Sequence, residues 1–477
     1  MPSAHDPYDL LVIGAGPGGY TAAIRARQRG ARVILVEEDA VGGICLNHGC
    51  IPTKALVACA DLVRRIRQAK AFGIATEPPR IDYARMLARN GAIIGQLRQG
   101  IAHLLTARGV EYRQAHAALV GPHDVRLTTE GASPAVVSAK HILVATGAVP
   151  RALPTMPFDG RRLLSYKDLL AQTALPASLL IIGGGAIGCE FASLLHEFGT
   201  RVTLVEQQPR LLPGEDPDIA RRLELSLERR GVQVHVGTSV TTLRVGARGV
   251  SATLSSGTAV KAAHVLVAVG QSPRVEGLQL EAAGVRCEQG GLRVDAHLRT
   301  NVPHILAIGD VVGEHGLAHV ASYEGVRAAE NLFGDAAPRD YRVVPNCIFT
   351  YPEIASVGLS EAQARARGLA VKASGFHFGG LGKSQAVGET EGLVKLIGDE
   401  RTGELLGGVI IGYQASSLIH VLTLALQTRT PVRTLASVIT AHPTLPESIS
   451  EAAAAFFGEA IHVLARSPRA TSDRGSR

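Results

Sequence analysis

The chain has 477 residues, with 49 Lys and Arg against 42 Asp and Glu, a net charge of +7 and a pI near 9.2. That length accommodates two to four domains with apolar cores, and the small excess of base, read as scattered over a solvated surface, argues against a nucleic-acid partner. Six cysteines at 45, 50, 59, 189, 287 and 347 include one close pair, which excludes a secreted disulfide scaffold. No apolar run approaches a membrane span, and Met1-Pro2-Ser3-Ala4-His5-Asp6-Pro7 has no basic n-region of a signal peptide. The expectation is a soluble, cytoplasmic protein with no membrane partner and no metal site.

Tyr8–Ile13 reads as a short apolar strand, and Gly14-Ala15-Gly16-Pro17-Gly18-Gly19 follows it directly. Tyr20 to Arg29 reads as a helix stopped by Gly30, and Arg32–Val36 as a strand that ends in Glu37. Strand, glycine turn, helix, strand and acid in that order form a dinucleotide fingerprint. Gly14, Gly16 and Gly19 let backbone amides approach a pyrophosphate at the helix N-terminus, and Glu37 can accept from a ribose hydroxyl.

The stretch GGICLNHGCIPTK, residues 42–54, comes next. On an ideal helix Cys45 and Cys50 would point about 140° apart. Bridging them needs a loop or a distorted first helical turn, which Gly42, Gly43 and Gly49 permit. Pro52 suits the start of a helix running on through Lys54 to Ala58. A helix N-terminus near Cys50 favours its thiolate.

The fingerprint recurs. Ser178–Ile182 leads into Gly183, Gly185 and Gly188, then a helix to Phe198, a strand Arg201–Val205 and Glu206, and the spacing from first glycine to acid is 23 residues in both copies. A second echo pairs the strand and turn His141–Arg151, with Thr146 and Gly147, with His264–Arg274, with Gly270. Two such units mean two dinucleotide-binding domains. From fingerprint to closing strand the first spans 127 residues and the second 81, and the excess begins with the dithiol and continues as helical pattern from Asp61 to Arg108. The dithiol is thus grafted into the first domain. The plain second domain is the expected home of an exchangeable nicotinamide, with Val240 assigned to the same site.

Thr300–Asp310 is another buried strand ending in glycine and acid, followed by Gly316-Leu317-Ala318-His319 and a helix from Ser322 to Leu332. From Val344 the pattern changes to short strands (347–350, 392–397, 405–411) and helices (416–427, 432–438) with no fingerprint. In Thr440-Ala441-His442-Pro443-Thr444-Leu445-Pro446-Glu447 an imidazole stands five residues before a carboxylate. An imidazole titrates in the range needed to deprotonate a dithiol, and Glu447 can fix the tautomer of His442. The polar tail Ser467–Arg477 is expected to be disordered.

GGICLNHGCIPTK resembles the redox segment GGTCLNxGCIPSK of the flavin-dependent pyridine nucleotide-disulfide oxidoreductases, most of all their dihydrolipoyl dehydrogenase branch, and related features run from about residue 8 to residue 460. Ile44, His48 and Thr53 depart from the pattern without removing a redox group. His442–Glu447 resembles the HPTxSE signature, with Pro446 in place of Ser and Thr440 where a His is common. The resemblance implies an α/β fold of two Rossmann-like domains plus a C-terminal α+β interface domain. Its limits are FAD-binding at 1–151 and 276–344, NAD-binding at 152–275, dimerisation at 345–466 and a tail at 467–477.

The resemblance further implies FAD and NAD as cofactors and a Cys45–Cys50 redox disulfide. Dihydrolipoamide would attack Cys45 and leave a Cys50 thiolate against the flavin. Asp310 would bind the ribityl chain, residues 316–319 would lie near the flavin ring, and Lys54 would pair with Glu190. His442 would come from the partner subunit of a homodimer, and the substrate would ride on a lipoylated carrier protein. The alternative is an NAD(P)H-driven reductase of another disulfide or of a metal ion. Glu206, which would repel an adenosine 2′-phosphate, and a tail without a terminal Cys pair speak against it. A docking subunit without turnover is opposed by intact Cys45, Cys50 and His442.

Overall fold

Leu10–Ile13 is apolar at every position and can therefore be covered on both faces, as the central strand of a parallel sheet requires. The computed structural model describes residues 7–288 and 290–463. The start of the chain and the tail from Ser467 lie outside the described residues. Tyr8–Ile13 (β1), Pro17–Gln28 (α1) and Val33–Glu37 (β2) form the first strand–helix–strand unit, followed by Gly43–His48 (α2), Cys50–Gln68 (α3) and Tyr83–Ala107 (α4). Gly73 (φ 78°) and Pro78-Pro79 interrupt the helical pattern between α3 and α4, and Asp82 caps α4 by accepting from Arg85 N at 3.1 Å.

Glu111–Gln114 (β3), His116–Leu119 (β4), Asp124–Thr128 (β5) and Ala135–Val144 (β6) extend the sheet in the order β3-β2-β1-β6-β5-β4. The long β6 serves two partners: its first half is antiparallel to β5, and its second half is parallel to β1, with Leu10 opposite His141 and Ile13 opposite Val144.

Ala148–Pro150 (β7), Leu163–Leu164 (β8), Tyr166–Leu170 (α5), Ser178–Ile182 (β9), Ala186–Glu197 (α6), Arg201–Val205 (β10), Pro217–Arg230 (α7) and Gln233–His235 (β11) follow. Val240–Gly246 (β12), Gly249–Leu254 (β13) and Ala259–Ala262 (β14) make a three-stranded antiparallel sheet, then come His264–Val267 (β15) and Gln271–Pro273 (β16). The second parallel sheet runs β11-β10-β9-β15-β8. Cys287–Glu288 (β17) pairs with Gly291–Leu292 (β18), Ile305–Ala307 (β19) joins the first sheet beside β6, and Ala318–Phe333 (α8) closes that domain. The first sheet's path β3-β2-β1-β6-β19 therefore repeats the second, strand for strand. The fifth strand precedes the fingerprint in one copy and follows it by some 290 residues in the other.

The remainder is Asn346–Ile348 (β20), Ile354–Gly358 (β21), Glu361–Ala366 (α9), Val371–His377 (β22), Gly382–Val387 (α10), Leu393–Asp399 (β23), Leu405–Ile411 (β24), Ala415–Gln427 (α11), Val432–Ser437 (α12) and Glu447–Phe456 (α13). Its five strands form the antiparallel sheet β20-β21-β24-β23-β22 around an apolar core that includes Phe376, Leu396, Ile419 and Phe456.

The chain divides into two compact units. One is Met1–Pro209 with Val232–Asp340, holding both dinucleotide folds, and the other is Arg210–Gly231 with the chain from Tyr341 onward. The helix α7 thus groups with the C-terminal sheet, although its residues lie within the 152–275 segment. Lys395 Nζ on β23 reaches Asp216 at 2.7 Å and Asp218 at 3.2 Å, and Arg230 donates to Tyr351 O at 2.6 Å. Lys395 keeps little exposure, and its charge is balanced by these carboxylates.

Candidate active site

Both glycine turns are built alike. Gly14 (φ 102°) donates to Val36 O at 2.7 Å, and Gly183 (φ 111°) donates to Val205 O at 2.8 Å. A Cβ on Gly19 would stand 1.8 Å from Gly14 O, and one on Gly188 1.9 Å from Gly183 O, so no side chain fits at either position. The middle glycines are different: nothing lies within 4 Å of a Cβ built on Gly185, and Gly16 meets only Gly43 Cα at 3.9 Å. That open backbone, at the N-termini of α1 and α6, fits a pyrophosphate. Glu37 and Glu206 brace the turns as well. Glu37 accepts from Ala15 N at 2.7 Å and Asp39 N at 3.0 Å, and Glu206 accepts from Gly184 N at 2.6 Å and Gln208 N at 2.7 Å. Each carboxylate keeps lone pairs for a ribose hydroxyl.

Gly42 (φ 100°) and Gly43 (φ 59°) carry the chain into α2, where a Cβ on Gly43 would meet Gly16 Cα at 2.6 Å. The dithiol segment is thereby pressed against the first fingerprint. The required distortion is a helix break at Gly49 (φ −137°, ψ −99°), which leaves Cys45 inside α2 and Cys50 at the first position of α3. Their hydrogen bond pushes the Cys45 thiol up, with burial adding to the effect. The same bond holds Cys50 below the ordinary thiol value; burial opposes it, and the Lys54 ammonium supports it. Both effects favour the negative charge on Cys50 and the proton on Cys45.

Lys54 Nζ on α3 binds both oxygens of Glu190 on α6, at 3.0 and 2.8 Å, which ties the dithiol helix to the second fingerprint. Thr146 Oγ1 donates to Arg274 O at 2.6 Å and Arg274 N to Gly147 O at 2.9 Å, joining the two closing turns, while Gly270 (φ 109°) turns the chain after β15. Val240 opens β12, opposite Leu254. Asp310 is half-buried and its carboxylate bonds to no described residue. Burial, then the charge of Glu324, pushes it above the usual carboxylate value. An acid in that state is relieved by a ligand hydroxyl, which fits a ribityl chain. Gly316 (φ 65°) and the extended Leu317 precede α8, which starts at Ala318 rather than at Ser322, so His319 sits in its first turn. Close approach of Gly325 to Gly18 O lays α8 on α1 and brings this N-terminus to the first fingerprint.

In the second unit His442 Nδ1 meets Glu447 Oε1 at 2.7 Å, and Glu447 Oε2 accepts from Thr444 N at 2.8 Å. Burial alone would raise the Glu447 carboxyl, but these two bonds outweigh it and hold it low. The acid stays charged, its imidazole is fixed through Nδ1, and Nε2 faces outward on a side chain that is 76% exposed. A cavity of about 500 Å³ beside this loop is lined by Tyr413, Leu418, Val421 and Pro446, so the departure at Pro446 shapes its wall.

Four supporting residues carried no motif in the sequence. Asn90 Nδ2 donates to Pro52 O at 3.0 Å, Arg98 Nε to Asn47 Oδ1 at 2.5 Å, and Glu324 accepts from Gly309 N at 2.5 Å. Tyr166, buried on α5, donates to Gln271 Oε1 at 3.2 Å; burial, then the charges of Asp310 and Cys50, pushes its hydroxyl up. Among the described residues no group of three or more His, Cys, Asp or Glu is placed to hold a metal ion, and no helix is long and apolar enough to cross a membrane.

Paired dinucleotide turns with a dithiol wedged against the first define a flavoprotein disulfide oxidoreductase, and the chain belongs to the pyridine nucleotide-disulphide oxidoreductase family, which it matches over residues 8–325. Residues 344–453 match that family's dimerisation domain. The chain is 40% identical over 462 residues to a dihydrolipoyl dehydrogenase of Chlamydia muridarum, covering 96% of this chain and 99% of that protein. It is 39% identical to that of Bacillus subtilis, covering 95% and 99%. Among solved structures it is similar to LpdA from Mycobacterium tuberculosis (TM-score 0.87, 32% identity, 93% and 98% covered). It is also similar to RclA from Escherichia coli, described as a HOCl-induced flavoprotein disulfide reductase in a Cu(II) complex (TM-score 0.85, 27% identity, 94% and 99% covered). The protein is an oxidoreductase that uses FAD and NAD.

Proposed function

We propose that the protein oxidises protein-bound dihydrolipoamide to lipoamide through a Cys45–Cys50 disulfide and delivers the electron pair to NAD, as a homodimer in the cytoplasm. The observation that supports this most is the placement of the dithiol, with Cys45 inside α2, Cys50 at the first position of α3 and Gly43 pressed against Gly16 of the first fingerprint. In the oxidised enzyme His442 Nε2 takes a proton from one substrate thiol, and the resulting thiolate attacks Cys45 Sγ. The Cys45–Cys50 bond breaks, and Cys50 leaves as the thiolate that Lys54 supports. Cys45 then leaves the mixed disulfide with the proton of the imidazolium as the second substrate thiol, which gives its own proton to the freed Nε2, displaces it and closes lipoamide. FAD, held by the first fingerprint, Glu37 and Asp310, supplies two-electron transfer between the dithiol and a nicotinamide held by the second fingerprint and Glu206. A reducing cytoplasm suits a reversible catalytic disulfide.

Purified protein loaded with FAD is expected to form NADH from NAD and dihydrolipoamide. Activity confined to NADH-driven reduction of another disulfide or of a metal ion would favour the second reading, which the similarity to RclA supports at lower identity. Cofactor choice follows from Glu206, whose carboxylate is fixed by two amides where an adenosine 2′-phosphate would approach. NAD is expected to exceed NADP in kcat/KM by roughly a hundredfold, the cost of a carboxylate beside a phosphate. Equal values for the two would refute this assignment.

A further inference from the structure

Three imidazoles meet where β19 joins the first sheet. This strand has only three residues, Ile305–Ala307, and it leads directly to Ile308, Gly309 and Asp310. Its ladder with β6 begins where Ile142 N donates to His304 O at 3.1 Å and ends where Ile308 N donates to Val144 O at 3.0 Å. At the first of these rungs His123, from the turn between β4 and β5, stacks on His304 with ring centroids 4.1 Å apart and planes inclined by 19°. A carbonyl fixes each ring, Ala139 O to His123 Nδ1 at 2.9 Å and Pro122 O to His304 Nε2 at 2.7 Å. His141 on β6 sets its ring edge-on to Phe333 of α8 at 5.9 Å, and its Nδ1 is buried with no hydrogen-bond partner among the described residues.

The charges around His141 are unequal. His304 and His123, and Lys140 on β6 itself, oppose an imidazolium there, whereas Asp9 on β1 favours one. Asp9 is already engaged by Arg32 N and by Lys140 Nζ, both at 2.8 Å, and α8 packs the uncharged Phe333 against the ring. Burial, then the two neighbouring histidines, holds His141 below the ordinary imidazole value.

We propose that His141, His123 and His304 form an acid-sensitive latch: a proton on His141 loosens β19 from β6, and with it the segment that carries Asp310 to FAD. The inference rests on the assignment of Asp310 to the ribityl chain and is independent of which dithiol is oxidised. Because the folded value of His141 lies below the unfolded one, its contribution to stability is complete above the ordinary imidazole value of about 6.5. That contribution is lost as pH falls from there through the folded value.

The test follows FAD-loaded protein from about pH 8 down to about pH 5, across the imidazole range, by flavin fluorescence for release and by circular dichroism for unfolding temperature. In the unaltered protein release should quicken several-fold and the unfolding temperature should fall as pH drops. His141→Gln should lose most of both dependences, and His304→Gln, which removes an opposing neighbour, should move the onset of release to lower pH. Asp310, itself held above the usual carboxylate value, is common to all three proteins, so differences among them report on the latch. Equal pH dependence in the three, or a loss of stability in the variants that is the same at every pH, overturns the proposal. If the unfolding temperatures differ as expected while flavin release is alike in all three, the link through Asp310 to FAD is overturned. Should His141→Gln fail to fold, the direction of the His304→Gln shift decides, and no shift or one to higher pH refutes the latch.

Discussion

His442→Ala is expected to lower dihydrolipoamide oxidation by roughly 10²–10⁴, the contribution of a positioned base. Flavin reduction by NADH should survive, because hydride transfer does not use the imidazole. The reason to expect so large an effect is the arrangement of the pair: Glu447 is held charged by Thr444 N and fixes His442 through Nδ1, leaving Nε2 free for a thiol proton. The carboxyl's depressed value means that this support is complete above the ordinary carboxylate range and is lost as pH falls through the lower, folded value.

If the base comes from the partner subunit, mixing His442→Ala with Cys45→Ser, each inactive alone, should restore activity. Random mixing makes half the dimers mixed, each with one good site of two, so recovery should approach about a quarter of wild type. Verified heterodimers without recovery would refute the shared site even if His442 proves essential.

Cys45→Ser and Cys50→Ser should differ qualitatively. With FAD bound, Cys45→Ser leaves the Cys50 thiolate beside Lys54 and should show a long-wavelength charge-transfer absorbance. Cys50→Ser removes the thiolate and should show none. Both should lose dihydrolipoamide oxidation, since each breaks the disulfide cycle. The absorbance of Cys45→Ser should vanish as pH falls through the value that Cys50 has in that variant. The native value is held low first by the bond from Cys45, against burial, and then by Lys54. The variant should therefore titrate higher than the native dithiol, and Lys54→Met in the same background should raise it again. Reversed spectra for the two serine variants would exchange the assigned roles.

What the chain determined locally could be read from it directly. Gly14 and Gly183 adopt left-handed φ, and Gly19 and Gly188 leave no room for a Cβ, demands met within one strand–turn–helix. Their repeat at a constant spacing therefore announced two domains. The same holds for the helix break between Cys45 and Cys50 and for the loop pairing of His442 with Glu447, five residues apart.

The ionic and hydrogen-bonded surroundings of the two sulfurs were decided by tertiary structure. Lys54 is held by Glu190 across 136 residues, and Asn90 and Arg98 reach Pro52 and Asn47 across 38 and 51. The grouping of α7 with the C-terminal sheet depends likewise on Lys395 meeting Asp216 across 179 residues. Backbone conformation is dictated by neighbours a few residues away, whereas the charge state of a thiol depends on its desolvation and on whichever ions the fold brings beside it.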